Sequence, residues 1–147
     1  MKPISEVEIV VGICEREDGR ILLIQRKDQN PMWDKKWEFP GGKIESDEDR
    51  NNAIDREVTE ETGLQTINKS FFGMHTHDWS LPEKTLRVHI HCFHCKVQGG
   101  EVLHEIDKAY RTAWVSIDEA LQYDNLKANN YILKRFVACK NTEHGLK

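Results

Sequence analysis

The sequence predicts one α/β domain, a central mixed β-sheet with helices on both faces. Three observations lead there. Alternating or continuous apolar residues fall in short runs of strand length. Two longer stretches, one central and one near the C-terminus, carry apolar residues at helical spacing. A chain of 147 residues suits one domain and can bury about two thirds of its unfolded surface.

The elements follow in chain order. Val7, Ile9, Val11 and Ile13 alternate, the mark of a half-buried strand. Asp18-Gly19 is a turn signal and Ile21–Ile24 a short buried strand, so the two runs form a hairpin. A polar loop, Lys27–Lys36, leads to Trp37-Glu38-Phe39 and then Pro40-Gly41-Gly42. A helix comes next. Asp49 is its candidate N-cap, Ala53, Ile54 and Val58 form its apolar side, and Gly63 is its natural stop. A second β region covers Phe71–His77 and Leu86–Val97. Gln98–Glu101 reads as a turn and Ala113–Val115 as a short strand. Ser116 and Glu119 make a capping box for a helix to about Tyr123. The last helix is expected over Asn130–Lys140, with Ile132, Leu133, Phe136, Val137 and Cys139 on one broad face. This places the domain at residues 1–140 and leaves 141–147 as a flexible tail.

Composition narrows the function classes. Apolar residues make up 38% and charged residues 31%, and no apolar run has the length of a membrane span. The start, MKPISEVE, lacks the apolar core of a secretory signal, so a cytoplasmic protein is expected. There Cys14, Cys92, Cys95 and Cys139 read as reduced thiols. A net charge of −4 argues against a nucleic-acid coat but not against a nucleotide, whose charge a bound metal offsets. His75, His77, His89, His91 and His94 crowd the second β region with Cys92 and Cys95. Alternation puts His89, His91 and Cys95 on one face and Cys92 and His94 on the other. Ordinary strand residues are the expectation, and a zinc site is the alternative.

The most informative stretch is Gly42–Leu64. Glu57, Glu60 and Glu61 stand at i, i+3 and i+4 of the expected helix, on one face. Three carboxylates so close are either a solvated face or a hard-oxygen site for Mg²⁺. Arg56, four residues before Glu60, can hold a carboxylate in place, and Glu48 lies in the loop before the helix. Gly41-Gly42, just ahead of that loop, permits close backbone approach to a ligand or metal. The glycines favour the metal reading.

The run from Gly42 through Glu48 to Arg56-Glu57-Val58-Thr59-Glu60-Glu61-Thr62-Gly63-Leu64 resembles the Nudix box at every fixed position and spacing. The resemblance implies the Nudix fold, an α/β/α sandwich, and Mg²⁺-dependent hydrolysis of a nucleoside diphosphate linked to a further group, with Mn²⁺ as substitute. It implies that Glu57, Glu60, Glu61 and the Gly41 carbonyl hold the metal, and that Arg56 and Glu48 buttress them. The general base is left among Glu57, Glu61 and a later carboxylate, with Glu105 preferred to Glu101. The segment Trp37–Glu45 is similar to the MutT branch, which acts on nucleoside triphosphates, and so is Leu126-Lys127-Ala128-Asn129. In that reading Phe39, Asn129, Arg26 and Lys43 bind the substrate, and the Asn129 amide meets a base edge with donor and acceptor together. The alternatives are a plain N-cap at Asn129 and a core residue at Phe39; Trp33 and Trp79 could stack on a base, but surface or core caps are the expectation there. The expected partner is a small nucleotide, without membrane or nucleic acid, bound by a monomer or homodimer. ADP-ribose or a dinucleoside polyphosphate is the alternative substrate, and a catalytically silent ligand sensor the alternative class.

Overall fold

In a computed structural model the described residues are 2–98, 100–103 and 108–145, without the side chains of 142–145. The strands are β1 (Ile4–Glu15), β2 (Ile21–Arg26), β3 (Trp37–Glu38), β4 (Gly41–Lys43), β5 (Thr66–Ser80), β6 (Thr85–Val97) and β7 (Ala109–Val115). The helices are α1 (Arg50–Thr62), α2 (Ile117–Ala120) and α3 (Lys127–Gly145).

Among the described residues seven strands form one mixed sheet in the order β3-β2-β1-β6-β5, with β4 paired to β1 and β7 to β2. β1 runs parallel to β6 from Ile4↔Thr85 to Glu15↔Lys96, and the other pairings are antiparallel. Alternation along β1 then sorts its side chains into two cores. Val10 and Cys14 join Leu22, Phe93 and Cys95 beneath Ala53, Ile54 and Val58 of α1. Val11 and Ile13 join Leu23, Ile90 and Cys92 beneath Ile132, Leu133 and Phe136 of α3. The result is the expected α/β/α sandwich. No described helix is long and apolar enough to cross a membrane. The four cysteines are free thiols.

Local signals hold where the chemistry is local. Asp49 caps α1, its Oδ1 accepting from the Asn52 N–H at 2.8 Å. Gly63 ends the helix in the left-handed region at φ 72°, where L side chains strain. The Ser116–Glu119 capping box is complete, though α2 stops at Ala120. β5 and β6 extend beyond the expected runs because each completes the other's ladder. α3 starts before Asn130 and continues past Lys140 into the stretch read as a tail. Gly99, in the expected Gln98–Glu101 turn, lies outside the described residues.

Candidate functional site

Arg56 is the hub of the glutamate helix. It grips Glu48 with two bonds, Nε to Oε2 at 2.7 Å and Nη2 to Oε1 at 2.8 Å. Nη2 also donates to the Lys43 carbonyl at 3.0 Å, which ties α1 to β4. Nη1 donates to Glu57 at 2.9 Å and Glu60 at 3.2 Å. The guanidinium draws the Glu48 carboxyl down to about 2, helped by the Glu45 N–H, and Glu48 in turn raises Arg56. Arg56 and Glu48 are thus paired, and Arg56 also reaches two of the three glutamates.

Glu57 and Glu61 meet the glycine pair. A Cβ on Gly42 would fall 2.5 Å from the Glu57 carboxyl atoms, so only glycine leaves that carboxyl its place. The Gly41 N–H lies toward Glu61 and favours its charged form. Burial pushes Glu61 up from 4.5 to about 8, with Glu38 and Glu57 adding repulsion. Burial also raises Glu57, against the pull of Arg56. Glu60 stays exposed.

Glu61 opens onto a cleft of about 560 Å³. Gly41, Gly42 and Lys43 line it too, as do Phe39, Asn129, Arg26, Trp33 and Trp79. Phe39 is both core residue and cleft wall. Asn129 is inside the first turn of α3 and does not cap it. Its Oδ1 accepts from the Phe39 N–H at 3.1 Å, while its buried Nδ2 has no protein partner. The amide therefore offers the cleft a donor, its oxygen already engaged, which narrows the expected donor-and-acceptor pairing. Arg26 reaches the cleft with its guanidinium occupied, 2.8 Å from Asp28 and 3.2 Å from Glu38.

Glu38 also lines the cleft and was not singled out from sequence; Trp33 and Trp79, weighed there for base stacking, line it too. Trp33 and Trp79 meet edge to face at 5.6 Å in the cleft wall. The loop of Trp33 is fixed by Asx turns, in which the Asn30 and Met32 N–H groups donate to the side-chain oxygens of Asp28 and Asn30 at 2.8 and 3.0 Å. Glu38 is half-buried beside Glu61, and its desolvation raises it against the attraction of Arg26. Glu105 lies outside the described residues, and Glu101 is exposed. The histidine strands divide as alternation requires. His89 and His91 bond Glu6 and Glu8 at 2.8 Å, and His94 bonds Glu15 at 2.7 Å. Among the described residues no group of three His, Cys, Asp or Glu is poised around a metal position. For the glutamates the reason is Arg56, which turns Glu57 and Glu60 toward itself.

The NUDIX domain family matches residues 7–136. The chain belongs to the NUDIX family. It is 34% identical over 134 residues to the CTP pyrophosphohydrolase of Escherichia coli K12, covering 91% of this chain and 93% of that one. It is 35% identical over 136 residues to the ADP-ribose pyrophosphatase of Methanocaldococcus jannaschii, covering 90% and 73%. The crystal structure of a MutT protein from Methanosarcina mazei Go1 superposes with a TM-score of 0.69 at 26% identity, covering 95% of this chain and 96% of that one. Nudix hydrolases need a divalent cation, and the carboxylate chemistry here suits one, although Arg56 engages Glu57 and Glu60 and no three carboxylates converge among the described residues. Burial raises the carboxyls of Glu38, Glu57 and Glu61, Glu38 and Glu57 add repulsion at Glu61, and a hard cation would offset both.

Metal-free stability should report this repulsion. Glu61 binds its proton more tightly folded than unfolded. Its stabilising contribution is complete below pH 4.5, is lost as pH rises through about 8, and is constant above. Glu61→Gln removes that loss. In EDTA the variant should melt a few degrees above wild type at pH 8.5, on the order of 1–3 kcal/mol, and close to it at pH 4.5. A melting difference that does not change with pH would refute the assignment.

Proposed function

We propose that this Nudix chain is a Mg²⁺-dependent pyrophosphohydrolase that converts a nucleoside triphosphate to the monophosphate and pyrophosphate. One observation carries the reading: the glutamate end, Gly41, Gly42 and Glu61, and the base-binding candidates, Phe39 and Asn129, line the same cleft. Glu57, Glu60, Glu61 and the Gly41 carbonyl would hold the cation. When bound, it neutralises phosphate oxygens and acidifies water. Arg56 and Glu48 keep the carboxylates in register. Lys43 places positive charge at the cleft, suited to the triphosphate. Glu61, in the cleft wall, takes the proton as water attacks the β-phosphorus. The bond to the α-phosphate oxygen breaks, the monophosphate leaves, and the water oxygen ends in pyrophosphate. Trp33, Trp79 and Phe39 enclose the base, and the Asn129 Nδ2–H donates to an acceptor on its edge.

The test is the product profile from labelled triphosphates with Mg²⁺, run beside ADP-ribose. Monophosphate and pyrophosphate are expected as primary products. Primary release of orthophosphate, or faster turnover of ADP-ribose than of any triphosphate, overturns the reading. The likeness to the ADP-ribose pyrophosphatase makes that comparison necessary. Asn129→Ala should lower kcat/KM for the best nucleotide by about 2- to 13-fold, the loss of one hydrogen bond worth ~0.5–1.5 kcal/mol, with little effect on poor substrates.

A further inference from the structure

A second chamber adjoins the cleft. It is a groove of about 640 Å³ lined by His75, His77, Arg87, Lys127 and Tyr131 together with Thr76 and Asp78. The groove and the cleft share two elements. On α3, Lys127 and Tyr131 stand at i and i+4 and face the groove, while Ala128, Asn129 and Ile132 face the cleft. On β5, His75 and His77 line the groove and Trp79, the next residue on that face, lines the cleft.

The rings form one file. Tyr131 stacks on His75 at 5.4 Å and 29°. His75 stacks on His77 at 6.3 Å and 27°. His77 meets Trp79 at 4.5 Å, and Trp79 meets Trp33 at 5.6 Å. Tyr131 remains 49% exposed, with surface to spare for another flat ring. The charge is suited to an anion. Lys127 has no carboxylate partner among the described residues, whereas Arg87 is held by Asp78 at 2.9 and 3.1 Å. The buried Nε2 of His75 has no hydrogen-bond partner among the described residues. Packing of β5 on α3 accounts for the stacked rings, but not for the unpaired nitrogen, the unpaired lysine and the half-exposed tyrosine together.

We propose that this groove is a second nucleotide subsite, in which Tyr131 and the histidines stack a base and Lys127 meets a phosphate. Stacking platforms joined to cations are the general means of holding nucleotides without reading their edges. The ligand class rests on the reading of the cleft as a nucleotide site. The occupant is either a second free nucleotide or the second unit of a linked one.

Calorimetric titration of the full chain in EDTA tests it, with an imido-bridged nucleoside triphosphate analogue as one probe and a triphosphate-headed dinucleotide as the other. A free second nucleotide gives two analogue molecules per chain. A linked one gives one dinucleotide per chain, bound about tenfold or more tightly than the analogue. Either signal should be lost in Tyr131→Ala and in Lys127→Glu, whose kcat/KM for mononucleotides should stay within about twofold of wild type. Asn129→Ala should weaken only the cleft's own binding, so failure of the cleft reading and failure of the groove reading are told apart. The proposal is overturned if one analogue binds per chain and the dinucleotide binds no tighter. It is also overturned if both groove variants keep the second signal, even where Tyr131→Ala lowers the melting temperature.

Discussion

Glu57→Gln and Glu61→Gln are each expected to cut turnover by about 100-fold or more while the sheet and both cores stay intact. The amide has the shape of the carboxylate, so neither packing nor helix geometry changes. What changes is charge and basicity. Glu57 lies between Gly42 and the Arg56 guanidinium, and its loss of charge removes a cation donor and loosens Arg56 at the same time. Glu61 loses the ability to take a proton in the cleft. Glu60→Gln should do less, because Glu60 is exposed and its bond to Arg56 is longer, 3.2 Å. Saturating Mg²⁺ kinetics, circular dichroism and melting curves check this. Activity that survives EDTA, or near wild-type turnover in both variants, removes the metal reading.

How much of this was legible in the chain depends on the distance over which each feature is determined. The α1 caps and the glycine pair come from residues within one short stretch, so local pattern located them, whereas the Arg56–Glu48 grip was implied by the resemblance to the Nudix box. β5 was read too short. It is a sheet edge with Asn68, Lys69, Ser70 and Asp78 along it, and the register shifts between Phe71 and Gly73. That shift breaks the period-two pattern on which strand reading relies. The cap alternative for Asn129 arose because asparagine favours that position. Its actual partner, the Phe39 N–H, is 90 residues away. Trp33 and Trp79 have no sequence signal for each other, since a loop and an edge strand bring them together only when the sheet closes. Glu38 was visible as a residue but not as a neighbour of Glu61, since that contact requires β3 and α1 on the same cleft.

The second large effect separates the two glycines of the pair. An alanine Cβ at Gly41 would lie inside the carbonyl oxygen of Val10 and 2.9 Å from the Val11 Cα, both backbone atoms. Backbone cannot rotate away, so β4 has to leave β1, where Val11↔Gly41 and Val10↔Gly42 now pair. Overpacking of this kind costs about 2–3 kcal/mol, a fall in melting temperature on the order of 5–10 °C. It also moves Gly41 relative to Glu61, whose charged form the Gly41 N–H favours. Gly42→Ala meets a different neighbour. Its Cβ would clash with the far end of Glu57, a flexible side chain that can turn aside. Stability should then change by no more than about 1 kcal/mol. Turnover should still fall by about 100-fold, because a displacement of the Glu57 carboxyl by roughly an ångström is enough to misplace what it holds. Melting curves and Mg²⁺-dependent kinetics on the two variants should therefore diverge. Gly41→Ala is unstable and inactive, and Gly42→Ala is stable and inactive. A Gly42→Ala variant with wild-type turnover would mean that the position of Glu57 does not matter to the reaction.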